Sequence, residues 1–181
     1  MFAFKFDKAL EAAAYLLRRE SSRQMPYMRL IKVLYIADRE SVRQIGRPIT
    51  GDRMAAMPKG PVLSVVLHLI KGEHLRSPEW EGFIVRDQYN VRLANDPGQA
   101  RLSRFEIETL ERVAEENRSR DEWDLVEYTH GFAEWIKNNP GRSMRWIAFA
   151  DLLEAVGRSA DEKTIEEDAR ADREMQRLFG V

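Results

Sequence analysis

The sequence contains no cysteine and only three histidines among its 181 residues. Without cysteine there is no disulfide, no thiol nucleophile, no iron–sulfur cluster and no cysteine-ligated zinc. His68, His74 and His130 include no pair at the helical spacing that places two ligands on one metal. Gly46, Gly51 and Gly60 stand too far apart for a phosphate loop, so no cofactor is expected. Long apolar runs are missing as well. The longest stretch without Asp, Glu, Lys or Arg is residues 60–70, far short of the roughly 18 residues that cross a bilayer. Lys5, Asp7, Lys8 and Glu11 interrupt the apolar start and leave no leader-like pattern. These absences predict a soluble cytoplasmic protein without membrane association. A basic excess is also lacking, since 29 basic and 30 acidic residues leave a net charge of −1. Any contact with nucleic acid must therefore rest on a local patch.

What is present is a chain of one-domain length, 44% hydrophobic and 33% charged. Its charge is unevenly distributed. Residues 1–60 carry 12 basic and 6 acidic side chains, residues 61–157 carry 12 and 17, and residues 158–181 carry 5 and 7.

Helical periodicity dominates. Asp7 suits the start of a helix over 7–20. Pro26 and Gly46 bracket a second helix, apolar around most of its circumference and hence central. On that helix Arg29, Lys32, Arg39 and Arg43 fall within about 80° of one another and form a basic stripe. Asp38 lies on the opposite, apolar side and must find a donor, either Arg47, Arg53 or backbone N–H groups of residues 47–61. A short extended piece fits 53–57, and Pro61 opens a third helix ending near Gly72. Alternation over 82–94 predicts a hairpin turning at 87–90. Capping boxes at Ser103/Glu106, Ser119/Glu122 and Ser159/Glu162 start helices of about 104–117, 120–130 and 159–178, with a short helix over 147–156. The last helix is highly charged and thinly apolar, which predicts loose docking on the body or on a partner. The expected fold is mainly α (α+β): one helical domain, residues 1–157, with a small inserted β-hairpin, followed by a charged helix in 158–181.

Catalytic signals are weak. Ser64 and His68 are i,i+4 neighbours, but no orienting acid or oxyanion site accompanies them. His130, in the last turn of its helix, suits the helix dipole. A hydrolase using His68 or His130 ranks last, and the chain reads as a non-enzyme. Trp80, Trp123, Trp135 and Trp146 read as core anchors.

One set of residues goes further. Lys32-Val33-Leu34-Tyr35-Ile36-Ala37-Asp38-Arg39 leads through Gly46-Arg47-Pro48-Ile49-Thr50-Gly51-Asp52 to Ala56-Met57-Pro58-Lys59-Gly60-Pro61-Val62, with Tyr128-Thr129-His130 and Trp135 downstream. This order resembles the SocA-like antitoxin family, or Panacea domain, related to phage-associated GepA-like proteins. The resemblance spans roughly residues 5–157. It implies an antitoxin that neutralises a co-encoded toxin by direct binding, with a cognate toxin as partner and no nucleic acid. By analogy with the SocA member it also implies a proteolytic adaptor that works with a ClpXP-type protease. A homodimer is a further partner state common among small proteins. Asp38, Gly46, Pro48, Gly51, Asp52, Pro58, Gly60 and Pro61 read as a structural signature. Candidate partner contacts are Arg29, Lys32, Arg39 and Arg43 on the basic stripe and Met175, Leu178 and Phe179 on the last helix. The alternative from a different class is a DNA-binding or phage-linked regulator that uses the same basic stripe.

Overall fold

The computed structural model describes residues 2–179. The fold is mainly α with small antiparallel sheets. It is organised around one helix, α2 (Tyr27–Ile45). Leu30, Ile31, Val33, Leu34, Tyr35, Ile36 and Ala37 are all buried, as a helix apolar around most of its circumference must be. Around it lie α1 (Phe6–Arg18), α3 (Ser64–Lys71), α4 (Ser77–Glu81), α5 (Arg104–Glu116), α6 (Glu122–His130), α7 (Ala133–Lys137) and α8 (Phe149–Ala155). Trp80 on α4 is almost fully buried and meets Phe6 edge-on. Among the described residues no helix is long and apolar enough to cross a membrane.

The hairpin predicted from alternation is β4 (Ile84–Asp87) with β5 (Asn90–Leu93). It gains a third strand, β1 (Gln24–Pro26), where a polar break is expected from sequence; Met25 pairs with Val91. A second sheet has the order β3-β2-β6, built from β2 (Met54–Met57), β3 (Gly60–Leu63) and β6 (Arg145–Trp146). The expected start of a helix at Pro61 is therefore corrected. Residues 60–63 pair with 54–57 in a tight hairpin, Met57 opposite Gly60, and the helix begins only at Ser64. Pro61 sits on a strand with only one neighbour, so its missing N–H breaks no ladder that the sheet needs.

The capping box at Ser103 forms as expected, with Glu106 N–H donating to the Ser103 hydroxyl and Ser103 N–H to the Glu106 carboxylate. At α6 the cap shifts. Asp121, not Ser119, accepts from Trp123 N–H and Asp124 N–H, each at 2.8 Å. A carboxylate facing the positive end of the helix outcompetes a hydroxyl two residues earlier.

The last helix, α9 (Glu162–Phe179), follows a single 3-10 turn. It docks on the body along a narrow seam rather than loosely. Ile165 and Ala169 are buried. Asp172 accepts from both Lys5 Nζ and Arg47 Nη2 at 2.8 Å, and Gln176 donates to the Phe4 carbonyl.

Two buried carboxylates tie the segment after α2 to the helices on either side. Asp38 accepts from Ile49 N–H and Thr50 N–H, each at 3.0 Å, and from the Thr50 hydroxyl at 2.5 Å. Backbone N–H groups and a hydroxyl thus fill the role for which Arg47 and Arg53 were the other candidates. Asp52 accepts from Val65 N–H and Val66 N–H, each at 2.9 Å. It caps α3 from a distance, in place of the absent local cap. Gly51, between the two acids, has φ +68, and a Cβ there would run into the Ala3 carbonyl.

Burial raises the Asp38 pKa from 3.8 to about 7, against the pull of its Thr50 and Ile49 hydrogen bonds and helped by the nearby Asp52 charge. Burial likewise raises Asp52 to about 6. The folded chain thus holds protons that the unfolded chain releases. Their stabilising effect is fully present below about pH 3.8 and is lost as pH rises to about 7. Urea unfolding followed from pH 4 to 7 checks this: Asp38→Asn flattens the fall in stability that the native chain shows across that window.

Candidate functional site

The sequence blocks that carry the family resemblance are far apart in the chain and meet in space. The β2–β3 hairpin turns at Pro58–Lys59, and α6 and α7 close around it. His130 Nε2 donates to the Pro58 carbonyl at 3.2 Å, and Trp135 Nε1 to the Met57 carbonyl at 3.0 Å. The two rings stack, with centroids 4.1 Å apart. His130 thus braces the hairpin from the last turn of its helix. His68 Nδ1 contacts the Ser64 carbonyl, not its hydroxyl, so this contact does not pair the hydroxyl with a base. Among the described residues no three His, Asp or Glu side chains gather to hold a metal ion.

Beneath the turn lies Lys32, fully buried, its Nζ donating to the Pro61 carbonyl at 2.8 Å. Burial lowers its pKa from 10.5 to about 7. Gly60, at φ +86, is what allows the chain to pass. A Cβ there would stand 2.6 Å from Lys32 Nζ and 2.7 Å from Thr129 Oγ1. Thr129 in turn donates back to the Leu125 carbonyl within α6.

One helical turn along α2, Glu134 is completely buried and accepts from Tyr35 Oη at 3.0 Å and Arg39 Nε at 2.8 Å. The Arg39 guanidinium also lies over the Phe132 ring, on which Tyr35 stacks. This buried charge pair locks α7, and with it Trp135, onto α2. Burial and the Glu134 charge raise the Tyr35 pKa well above 10.

The basic stripe is therefore not an open surface, and its reading as a partner or DNA contact is corrected for three of its four members. Lys32 is buried. Arg39 is held by Glu134. Arg29 is mostly covered, paired with Glu20 at 2.8 Å and donating to the Arg120 carbonyl. Arg43 is exposed, but it pairs with Glu40 within its own helix. Helical periodicity gives the direction of these side chains. It does not show that Glu20, the segment between α5 and α6, β3 and α7 bring acceptors to them. Of the C-terminal candidates, Met175 and Leu178 are 57% and 71% exposed; the side chain of Phe179 lies outside the described residues. Gly46 and Pro48 are buried behind the end of α2, where Ile165 seats against Gly46.

What the structure does expose is aromatic. Trp123 is 54% and Trp146 43% accessible, so neither is a core anchor as expected. Lys59, at the tip of the hairpin, lies 4.8 Å from the Trp123 ring centroid, and Arg53 3.8 Å from that of Trp146. Tyr128, Ile136 and Met144 are exposed as well. The signal for Trp123 was available: Leu125, Val126 and Thr129 form the buried face of α6, and Trp123 lies roughly 110° from its centre. Large exposed rings beside cations are enriched where proteins meet other macromolecules.

Lys32 gives this site a measurable signature. The folded chain sheds a proton that the unfolded chain keeps up to about pH 10.5. Its contribution to stability is present above that pH and is lost as pH falls to about 7. Unfolding midpoints measured from pH 7 to 10 rise for the native chain and stay flat for Lys32→Met. Gly60→Ala loses about 2–3 kcal/mol from its positive φ and from displacing Lys32, as read by denaturant titration.

No curated protein and no solved structure matches the chain. A family described as antitoxin SocA-like, Panacea domain, matches residues 30–136. That stretch is more than half of the chain. It contains Asp38 with its clamp on Ile49 and Thr50, and the Gly60 turn with His130, Trp135 and Glu134 that hold it. The chain belongs to the SocA-like antitoxin, or Panacea domain, family.

Proposed function

We propose that this protein is an antitoxin that neutralises a toxin encoded beside it by direct binding, and that it acts as a binding protein rather than an enzyme. The observation that carries the reading is the convergence described above. Residues of the family region are spent on rigidly holding the Pro58–Lys59 turn, and exposed aromatics with attendant cations surround that turn. A catalytic site concentrates polar groups in a concave pocket. Here the buried polar groups, Lys32, Asp38, Asp52 and Glu134, are all engaged with backbone or with one another's neighbours. The surface they support is a presentation platform. Trp and Arg at such a surface contribute most of the binding free energy in protein complexes.

The test is co-expression with the product of the neighbouring reading frame, scored by host growth and by co-purification. Rescue with a stable complex is the expected result. Trp123→Ala and Lys59→Glu each weaken that complex by about ten-fold or more, roughly 1.4 kcal/mol, with unchanged unfolding midpoints. Rescue accompanied by toxin loss that needs a host ClpXP-type protease makes the protein an adaptor as well as a binder. Absence of both toxicity and complex overturns the antitoxin reading.

A further inference from the structure

The strand β6 is two residues long and lies at the edge of its sheet. Ala55 faces Trp146 and Ala56 faces Arg145. Ile147 N–H donates to the Met54 carbonyl at 3.0 Å. In an antiparallel ladder this phase makes Ala55–Trp146 a non-hydrogen-bonded pair. The N–H and C=O of Trp146 therefore point away from β2, out of the sheet edge, and among the described residues nothing pairs with them. Ala148, two residues on, has extended backbone but gives its carbonyl to Leu152 N–H at the start of α8, so the open edge is confined to Trp146. Proteins usually blunt an open edge of this kind, because it is a template for another strand. Here the neighbouring side chains do the opposite. Trp146 and Met144, two residues apart, are each more than 40% exposed, and Arg53 fixes the Trp146 ring from above.

The charge around the edge has one sign. Arg53, Arg142 and Arg145 form no ion pair with any carboxylate among the described residues, whereas Lys137, on the neighbouring α7, binds both Asp151 and Glu154. Asp52, beside Arg53, is turned to the Val65 and Val66 N–H groups, and Asp151 and Glu154, which follow β6, are already held by that lysine. Three unneutralised guanidinium groups beside unpaired backbone donors and acceptors call for a partner that brings both a backbone and negative charge.

We infer that the outer edge of β6 is a strand-addition site for an extended, acidic segment of a partner protein. The segment adds a fourth strand to the β3-β2-β6 sheet. Its backbone pairs with Trp146, its apolar side chains lie on Trp146 and Met144, and its carboxylates meet Arg142 and Arg145. This deepens the antitoxin reading, on which it rests, by naming the chemistry of the bound element. Backbone pairing supplies affinity for any extended segment. The arginines and the Trp–Met surface select among segments.

The experiment uses the full chain with the whole product of the neighbouring reading frame. Trp146→Ala removes the ring and keeps the N–H; Trp146→Pro removes both. The inference expects Trp146→Pro to weaken the complex about ten-fold beyond Trp146→Ala. It expects Arg142→Glu with Arg145→Glu to weaken it by a similar factor at low salt and by less at high salt. Because Trp146→Pro risks unfolding the edge, amide exchange is measured on the native complex as well. Exchange at the Trp146 amide slows about ten-fold or more on binding. A complex in which that amide exchanges as in the free chain overturns strand addition and leaves toxin binding standing. If no complex forms, the antitoxin reading fails on its own, and the edge is judged with an alternating Glu-Val heptapeptide. Saturable shifts at the Arg145 and Trp146 amides then support the inference, and a flat titration overturns it. Tighter binding of duplex DNA by the same arginines also overturns the assignment to a protein strand.

Discussion

The structure depends on how one acid inside the central helix is satisfied. Asp38 sits where α2 is apolar on all sides, and a carboxylate left unpaired there costs several kcal/mol. Its three donors all come from Ile49 and Thr50. Paying that cost with backbone rather than with a lysine or arginine has a geometric effect, because it fixes the course of the chain as well as its charge. With residues 49–50 clamped to α2, Asp52 is delivered to the first turn of α3, and β2 leaves in the direction that lets it pair with β3. The segment from 46 to 63 has little regular structure at its start, yet Asp38 and Asp52 tie it to α2 and α3.

The same logic recurs at the far end of the hairpin. Lys32 replaces an ion pair with a single bond to the Pro61 carbonyl, and Glu134 is shared by Tyr35 and Arg39. Successive turns of α2 thus present a lysine, a tyrosine and arginine pair, and an aspartate, each aimed at a different loop or helix. A helix that only filled the core would need none of them. Their presence makes α2 a distributor of fixed positions, to the Pro58–Lys59 turn on one side and to the Ile49–Asp52 turn on the other.

Much of this was legible in the sequence where the signal is local. The apolar circumference of α2, the alternation of β4 and β5, and the Ser103 box each follow from residues within one window, and the structure agrees with each. The need of Asp38 for a donor was legible too, with the backbone of 47–61 among the candidates. What sequence could not give depends on partners distant in the chain. Residues 60–63 become a strand because 54–57 lie beside them. Ser119 yields to Asp121 because two strong caps compete for one helix start. Lys32 and Arg39 look like surface charges until Pro61 and Glu134 arrive from elsewhere. The exposed tryptophans follow the converse rule: a large apolar residue suggests burial, but Trp123 stands off the Leu125–Val126–Thr129 face of α6 and Trp146 lies on an edge strand.

The binding surface is assembled from segments made at different times. The β2–β3 hairpin is complete once residue 63 exists, but its brace at Trp135 and its third strand at Arg145–Trp146 come roughly 80 residues later. At about 5–20 residues per second, the ribosome needs on the order of 4–16 seconds to add them. Until then Lys32 has no α6 over it and the Pro58–Lys59 turn has nothing to hold it. The surface around the turn is therefore complete only after that interval, and a partner made at the same moment meets it unfinished. Contacts that use this surface are made by chains already complete and not by the chain still being made.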